Sequence, residues 1–362
     1  MAVGAAWHRE AIGGSSDLIH SRPVRRFTGS VADKLRLLCG ALLFLACSQA
    51  PPPKSEDDAA VPVPDAPPPL RDWSAYPPVV EVDTANAVWV VGDIHGDYER
   101  LTTLLAGAGL VQMPSAPADA QWLGGAATLV CMGDIIDKWP RGLDVITYLA
   151  ALGRAAQTLG GRVIVLMGNH EATFLSQPDD EQVADFASEL RARGLDPAQV
   201  AAGGDEAGTL LRNLPVAARV NDWFFVHAGN TRGIALEQLK ADIMTAMDAR
   251  GFGAPLLLNS TSLLDSDAPW WEDSRKPLST LQAYVKALGV QHIVQGHEPG
   301  KIKFADNTTR PAQTMFQKFG LIYFVDIGMS QGAEGTPGAL LHIDGNAVEV
   351  VHADGTAAAV GS

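Results

Sequence analysis

The residues best suited to chemistry stand just beyond short apolar runs. Residues 87–91 lead into GDIHG, with Asp93 and His95, and residues 127–132 lead into GDIID, with Asp134 and Asp137. Residues 163–167 precede GNHE (Asn169, His170), 223–226 precede HAG (His227), 292–294 precede QGHEPG (His297), and 321–325 precede DIGMS (Asp326). Carboxylate oxygens and imidazole nitrogens together suit manganese, iron or zinc better than calcium. A lone His or Asp of this kind is ordinarily structural, but so many glycine-flanked sets in one chain point to one site. Two cations about 3.5–4 Å apart can share a carboxylate, lower the pKa of a water between them and neutralise a phosphate. A histidine can protonate a leaving alkoxide near neutral pH, and a carboxylate partner fixes its ring and favours its charged form. Glycines let backbone approach metal and phosphate closely.

The elements that must position these residues are short strands and longer helices. Runs of four to six residues, rich in Val and Ile and bounded by Gly, Asp or Asn, predict buried strands ending at each motif. Helical stretches are expected at 98–108, 142–159, 182–193, 205–213, 234–249 and 278–288, the last capped by Ser279 or Thr280. Strand alternating with helix indicates an α/β protein, whose ligands bind beyond the carboxyl ends of the strands.

The chain has 362 residues, 47% hydrophobic and 19% charged, enough for a large globular core. Its net charge of −14 repels a nucleic-acid backbone, so no nucleic-acid partner is expected. Three cysteines, Cys39, Cys47 and Cys131, form no CxxC and no zinc-ligand spacing, and Cys131 in TLVCMGD reads as a small core residue.

Lys34 and Arg36 precede an apolar run, residues 37–46, that ends at Cys47. Such a run suits a signal-peptide core and is too short to span a bilayer. LFLAC resembles a bacterial lipobox, although Phe44 and Leu45 depart from its usual residues. The expectation is export to the bacterial cell envelope or periplasm, with membrane attachment only through a lipid on Cys47. An ordinary signal peptide or a retained anchor helix is the alternative. Residues 48–72 are proline-rich and too poor in apolar surface to fold, as a tether would be. The folded domain is then 73–362, with a helical insert at about 176–221.

Taken in order, GDxHG, GDxxD, GNHE, HAG and GH resemble the calcineurin-like metallophosphoesterases. Within them the set is most similar to the phosphoprotein phosphatases, including the bacterial Shewanella-like branch. The resemblance spans about residues 88–330 and implies a four-layer α/β/β/α sandwich, the metallo-dependent phosphatase fold. It implies two metal ions, Mn2+, Fe2+/Fe3+ or Zn2+. Asp93 and His95 would bind the first and Asn169, His227 and His297 the second, with Asp134 bridging them. His170 would be the general acid, oriented by Asp137. The implied activity is hydrolysis of phosphate monoesters, on phosphoproteins or small phosphorylated molecules. It would proceed by direct in-line attack of a metal-bridging hydroxide, without a phosphoenzyme. Dinucleoside polyphosphate pyrophosphohydrolysis is the alternative.

Two departures bear on the phosphate site. Where the phosphatases usually read GDxVDRG, this chain reads GDIIDKWPRG. Lys138 takes the place of the arginine, and Trp139-Pro140 precede Arg141, so Lys138, Arg141 or both would hold phosphate alongside Asn169. Lysine offers a point charge where arginine offers a fork. The last motif is GHEPG, without the second histidine of GHxH, which favours the phosphoprotein-phosphatase branch. A second clamp is expected from Arg275, or alternatively Arg232. Trp270 and Trp271 either wall the cleft or belong to the core. Asp326 either bonds to a ligand histidine or shapes a turn.

Overall fold

In the computed structural model, which describes residues 70–272 and 275–362, alternate residues of single strands enter two different cores. Along Thr128–Cys131, Leu129 and Cys131 join a cluster containing the helical residues Leu101, Leu104, Val145 and Leu149. Val130 and the following Met132 join a cluster built from strands, with Val88, Val90, Phe225, Val294 and Val325. Phe224 and Phe225 divide in the same way. Side chains of a strand point alternately to opposite faces, so this segregation is what two stacked sheets with helices outside require. The α/β/β/α sandwich is the architecture expected.

One six-stranded sheet runs, in spatial order, Arg162–Val165, Thr128–Cys131, Val88–Val91, Ala339–Asp344, Ala347–His352, Ala357–Ala359. Its first three strands are parallel. The other six-stranded sheet runs Val79–Val82, Ala217–Val220, Trp223–Val226, His292–Gln295, Ile322–Phe324, Phe316–Lys318, with Trp223–Val226, His292–Gln295 and Ile322–Phe324 mutually parallel. Within each sheet the motif-bearing strands therefore deliver their carboxyl ends, and the polar residues beyond them, to one edge.

The helices among the described residues are α1 (Tyr98–Gly107), α2 (Gly142–Thr158), α3 (Asn169–Ser176), α4 (Ala184–Ala192), α5 (Pro197–Ala201), α6 (Glu206–Arg212), α7 (Leu236–Arg250) and α8 (Pro277–Leu288). The expected helical stretches fall on α1, α2, α4, α6, α7 and α8. Three details differ. The insert is helical only as far as Arg212, because Ala217–Val220 is a strand of the sheet. Neither Ser279 nor Thr280 caps α8: it starts at Pro277, whose missing N–H costs nothing at a helix's first position. Ordered contacts begin before residue 73, since buried Arg71 donates to the carbonyls of Arg212 and Leu214. Residues 1–69, with Cys39, Cys47, the leader and most of the tether, lie outside the described residues. Cys131 is buried as expected, and burial pushes its thiol up to about 12.

Candidate active site

Three of the motifs, GDIHG, GDIID and GHEPG, leave their strands through a sharply turned backbone. His95, Asp134, Asp137, Lys138 and His297 all have positive φ, between 46° and 69°. Such conformations are costly for non-glycine residues and persist where the surroundings over-determine them. Here the loops are laced together, with the amides of Ile94 and His95 donating to Asp134 O and that of Gly96 to Ile135 O. Two glycines make room for ligand carboxylates. A Cβ at Gly168 would lie 2.1 Å from Asp134 Oδ1, and one at Gly296 would lie 2.4 Å from Asp93 Oδ1.

The side chains converge on Asp134. Its Oδ2 lies 3.4 Å from His227 Nε2, 3.6 Å from His95 Nε2 and 3.9 Å from His170 Nε2. Asn169 Oδ1 stands 3.0 Å from His227 Nε2 and 3.2 Å from His297 Nδ1. Asp93 accepts the His297 amide through both carboxylate oxygens, at 3.1 and 3.2 Å. The potential ligand atoms of His95, Asp134 and His170 lie within 4.8 Å of one another, as do those of Asp134, His227 and His297. Asp134 belongs to both groups, the position expected of a bridging ligand.

The donor set fits a cation. His227 Nδ1 is 2.8 Å from Met132 O, so it carries the proton and, in the neutral ring, leaves a lone pair on Nε2. That lone pair, the Asn169 carbonyl oxygen and Asp134 Oδ2 then face one another with no proton among them. With that neutral ring the Asn169 amide would gain hydrogen bonds to His227, His297 and Asp134 by turning over. All three are donors that would hold a cation. His95 is held in the same tautomer by Nδ1 at 3.2 Å from Ile136 O, with Nε2 facing the site.

Electrostatics support this. Burial raises the Asp134 carboxyl, but His227, His170 and His95 outweigh it and hold the group well below the usual range. Burial, then the charges of Asp326 and Asp134, push Asp93 well above its ordinary value. Burial lowers His227, yet Asp134 and Asp93 carry it up to about 10. Burial and then the neighbouring His227 bring His297 down to about 4. A metal entering this cluster would displace protons from Asp93 and His227, as metal binding to titratable ligands does.

His170 sits beside the cluster with a different partner. Its Nδ1 lies 3.1 Å from Asp137 Oδ2, while its Nε2 faces the site. Burial opposes protonation of this ring, but Asp134 and Asp137 overcome it and raise its pKa. A protonated imidazole held by a carboxylate and aimed at a phosphate site can act as a general acid.

The expected phosphate-holding residues separate. Lys138 reaches the site, with Nζ 2.8 Å from His95 Nε2. Arg141 is not brought to it. Its guanidinium pairs with Glu99, lies 2.6 Å from Asp144 Oδ2 and stacks over the Tyr98 ring at 4.4 Å. The Trp139-Pro140 dipeptide carries Arg141 to the start of α2, where it is the N-cap residue. Arg275 is exposed and adjoins the undescribed residues 273–274, and Arg232 is also exposed. Trp271 is core, 1% exposed, whereas Trp270 is half-buried and donates to Ala228 O beside His227. Asp326 shapes a turn, accepting the Gly328 amide at 2.8 Å, and burial raises its carboxyl to about 6.

Two supporting residues escaped the sequence reading. Glu171 is fully buried and its carboxylate accepts the amides of Asp134, Ile135, Ile136 and Gly168, which fixes the GDIID loop against α3. Burial and the Asp134 charge raise it to about 7. Arg310, also fully buried, donates to the carbonyls of Glu298, Asp326 and Thr314 and so ties the His297 loop to the end of Ile322–Phe324. GNHE contained the first signal, an acidic residue in the first turn of a helix beside the ligands. No local pattern marks the second.

Fold and site together define a metal-dependent phosphatase. The model of the calcineurin-like phosphoesterases matches residues 87–301, and the chain belongs to that family. It is similar to Shewanella-like protein phosphatase 1 of Plasmodium berghei, 24% identical over 72% of this chain and 71% of that one. It is also similar to a symmetrical bis(5'-nucleosyl)-tetraphosphatase of Janthinobacterium sp., 27% identical over 55% of this chain and 64% of the relative. Among solved structures, the cold-active protein-tyrosine phosphatase of a psychrophile Shewanella sp. shares the fold, with a TM-score of 0.62. The two are 21% identical, over 78% of this chain and 83% of that one.

Proposed function

We propose that the protein hydrolyses phosphate monoesters, with His170 as general acid. The observation that carries this is the placement of His170, whose Nδ1 lies 3.1 Å from Asp137 Oδ2 and whose Nε2 lies 3.9 Å from Asp134 Oδ2. Bound divalent cations would supply Lewis acidity and a nucleophilic water at neutral pH. Asp93, His95 and Asp134 would hold one, and Asp134, Asn169, His227 and His297 the other. Lys138, whose Nζ lies 2.8 Å from His95 Nε2, would take a phosphate oxygen. His170 then donates its Nε2 proton to the leaving oxygen, and Asp137 stabilises the imidazolium until that transfer.

Hydrolysis of 4-nitrophenyl phosphate by the manganese-loaded protein tests this, with zinc, iron and cobalt in parallel. Turnover that disappears on chelation supports the proposal, and no turnover with any of the four metals refutes it. Similarity to the bis(5'-nucleosyl)-tetraphosphatase favours a second reading, on dinucleoside polyphosphates. A kcat/KM for diadenosine tetraphosphate well above that for monoesters would select it. Export and lipidation at Cys47 form a separate proposal, tested by the mass of the mature amino terminus.

A further inference from the structure

The His170–Asp137 pair depends on an element outside the motifs. Asp137 Oδ1, the oxygen turned away from His170, accepts the amide of Phe186 at 3.0 Å. Phe186 is the third residue of α4, in the helical insert. The first four amides of a helix lack partners within it, and Val183 at the N-cap supplies no side-chain acceptor, so Asp137 serves as an external cap. The Phe186 ring meets Phe174 of α3 edge-on, centroids 4.9 Å apart, and α3 also carries His170. One residue of α4 thus touches Asp137 and the helix that carries His170.

A second clamp lies one turn on. Buried Glu189 accepts the amides of Gly142 and Leu143 at 2.7 and 3.1 Å, where the loop bearing Asp137 ends and α2 begins. Arg193 braces it, 3.5 Å from Glu189 and 3.2 Å from Asp144 of α2. The fit is close, because a Cβ on Gly142 would lie 2.9 Å from Phe186 Cδ2 and 3.2 Å from Glu189 Oε2.

We propose that α4 is the aligning element of the general acid, and that Glu189 is a positioning residue acting through Asp137 on His170. This rests on the monoesterase reading. Glu189 fixes where the Asp137 loop ends relative to α4, and the Phe186 amide fixes the rotation of the Asp137 carboxylate. Loosening either contact lets the carboxylate turn and the imidazole swing away from the leaving oxygen. The metal ligands remain in place, because none of them is bonded to α4.

The test compares two substrates whose leaving groups differ in their need for a proton. An alkyl phosphate needs one, and 2,4-dinitrophenyl phosphate does not. Glu189→Ala and Gly142→Ala should lower kcat on the alkyl ester about ten-fold or more, a part of the 10²–10⁴ that general acids contribute. On the dinitrophenyl ester kcat should change less than about two-fold, with KM and metal per chain unchanged. Glu189→Gln, which keeps an acceptor oxygen, should restore part of the alkyl activity. Equal losses on both esters, or no loss on either, would overturn the proposal while leaving the monoesterase reading intact. Wild-type protein inactive on both esters with every metal would instead overturn that reading.

Discussion

Nδ1 of His170 lies 3.1 Å from Oδ2 of Asp137, and the other oxygen of that carboxylate is taken by the backbone of α4. The pair is therefore anchored on the side away from the metal ligands. His170→Ala should cost about 10²–10⁴ in kcat while leaving the bound metal unchanged, because the other nitrogens around Asp134 remain. Turnover and metal content measured on one preparation decide it. Loss of metal would make His170 a ligand instead.

The pH profile should carry the signature of the same pair. A general acid must be protonated, so activity falls as pH rises through its pKa. Burial opposes the charged His170 ring while the Asp134 and Asp137 charges favour it, so the alkaline limb should report this residue. Asp137→Asn removes one of those charges and should move the limb to lower pH. A limb that stays put in Asp137→Asn would assign it to some other group.

Metal removal should make stability depend on pH. His227 rises from about 6.5 unfolded to about 10 folded, despite burial, through Asp134 and Asp93. A raised folded pKa gives stability that is complete below the unfolded value and lost as pH rises toward the folded one. The chelated protein should therefore melt at lower temperature at about pH 9 than at about pH 7. In the loaded protein a cation replaces that proton, so Tm should be higher and nearly flat over the interval. Parallel scans with and without chelator measure both slopes, and identical slopes contradict this role for His227.

Lys138 and Arg141 should behave differently. Lys138→Ala removes a cation next to His95, and a hydrogen bond to a charged group is worth about 1.5–3 kcal/mol, or roughly 10–100-fold in kcat/KM. Arg141→Ala breaks contacts to Glu99, Asp144 and Tyr98, partly exposed, and should alter kcat/KM less than about three-fold. Steady-state kinetics on one monoester suffice, and the reverse order would return the phosphate contact to Arg141.

Glu171 offers a stability test. Its carboxylate accepts four buried amides. Each oxygen accepts two of them, so in Glu171→Gln, whose amide nitrogen cannot accept, two N–H groups lose their partner at about 1–3 kcal/mol each. Denaturant unfolding should show the loss, along with weaker metal binding as the Asp134 loop relaxes. Wild-type stability in this variant would show that the loop holds its shape unaided.

The ligands were legible in the sequence because each lies within a few residues of a strand end, where a short pattern names both element and site. The neighbours that orient them were not. Phe186 and Glu189 reach Asp137 and Gly142 across more than forty positions, one of them through a backbone amide that no side-chain pattern can reveal. The hydrogen bonds given for Arg310 all go to carbonyls, so those partners leave no trace in residue type. Arg141 was a candidate for the phosphate beside Lys138, because a dipeptide inserted before it could swing it into place. The Trp139-Pro140 insertion moves it onto Tyr98 and Glu99, a displacement that depends on backbone path. The strand Ala217–Val220 falls within the insert expected at about 176–221, yet it pairs with Val79–Val82 and Trp223–Val226, across long stretches of sequence in the first case.

The most direct measurement is metal per chain, by elemental analysis, in wild-type protein and in Asp134→Ala, alongside hydrolysis of an aryl phosphate. If Asp134 joins both groups of ligands, wild type should hold about two ions and turn over, whereas the variant should lose both ions and activity. Wild-type protein free of metal after loading, or a variant that keeps its full complement, would contradict a shared metal centre.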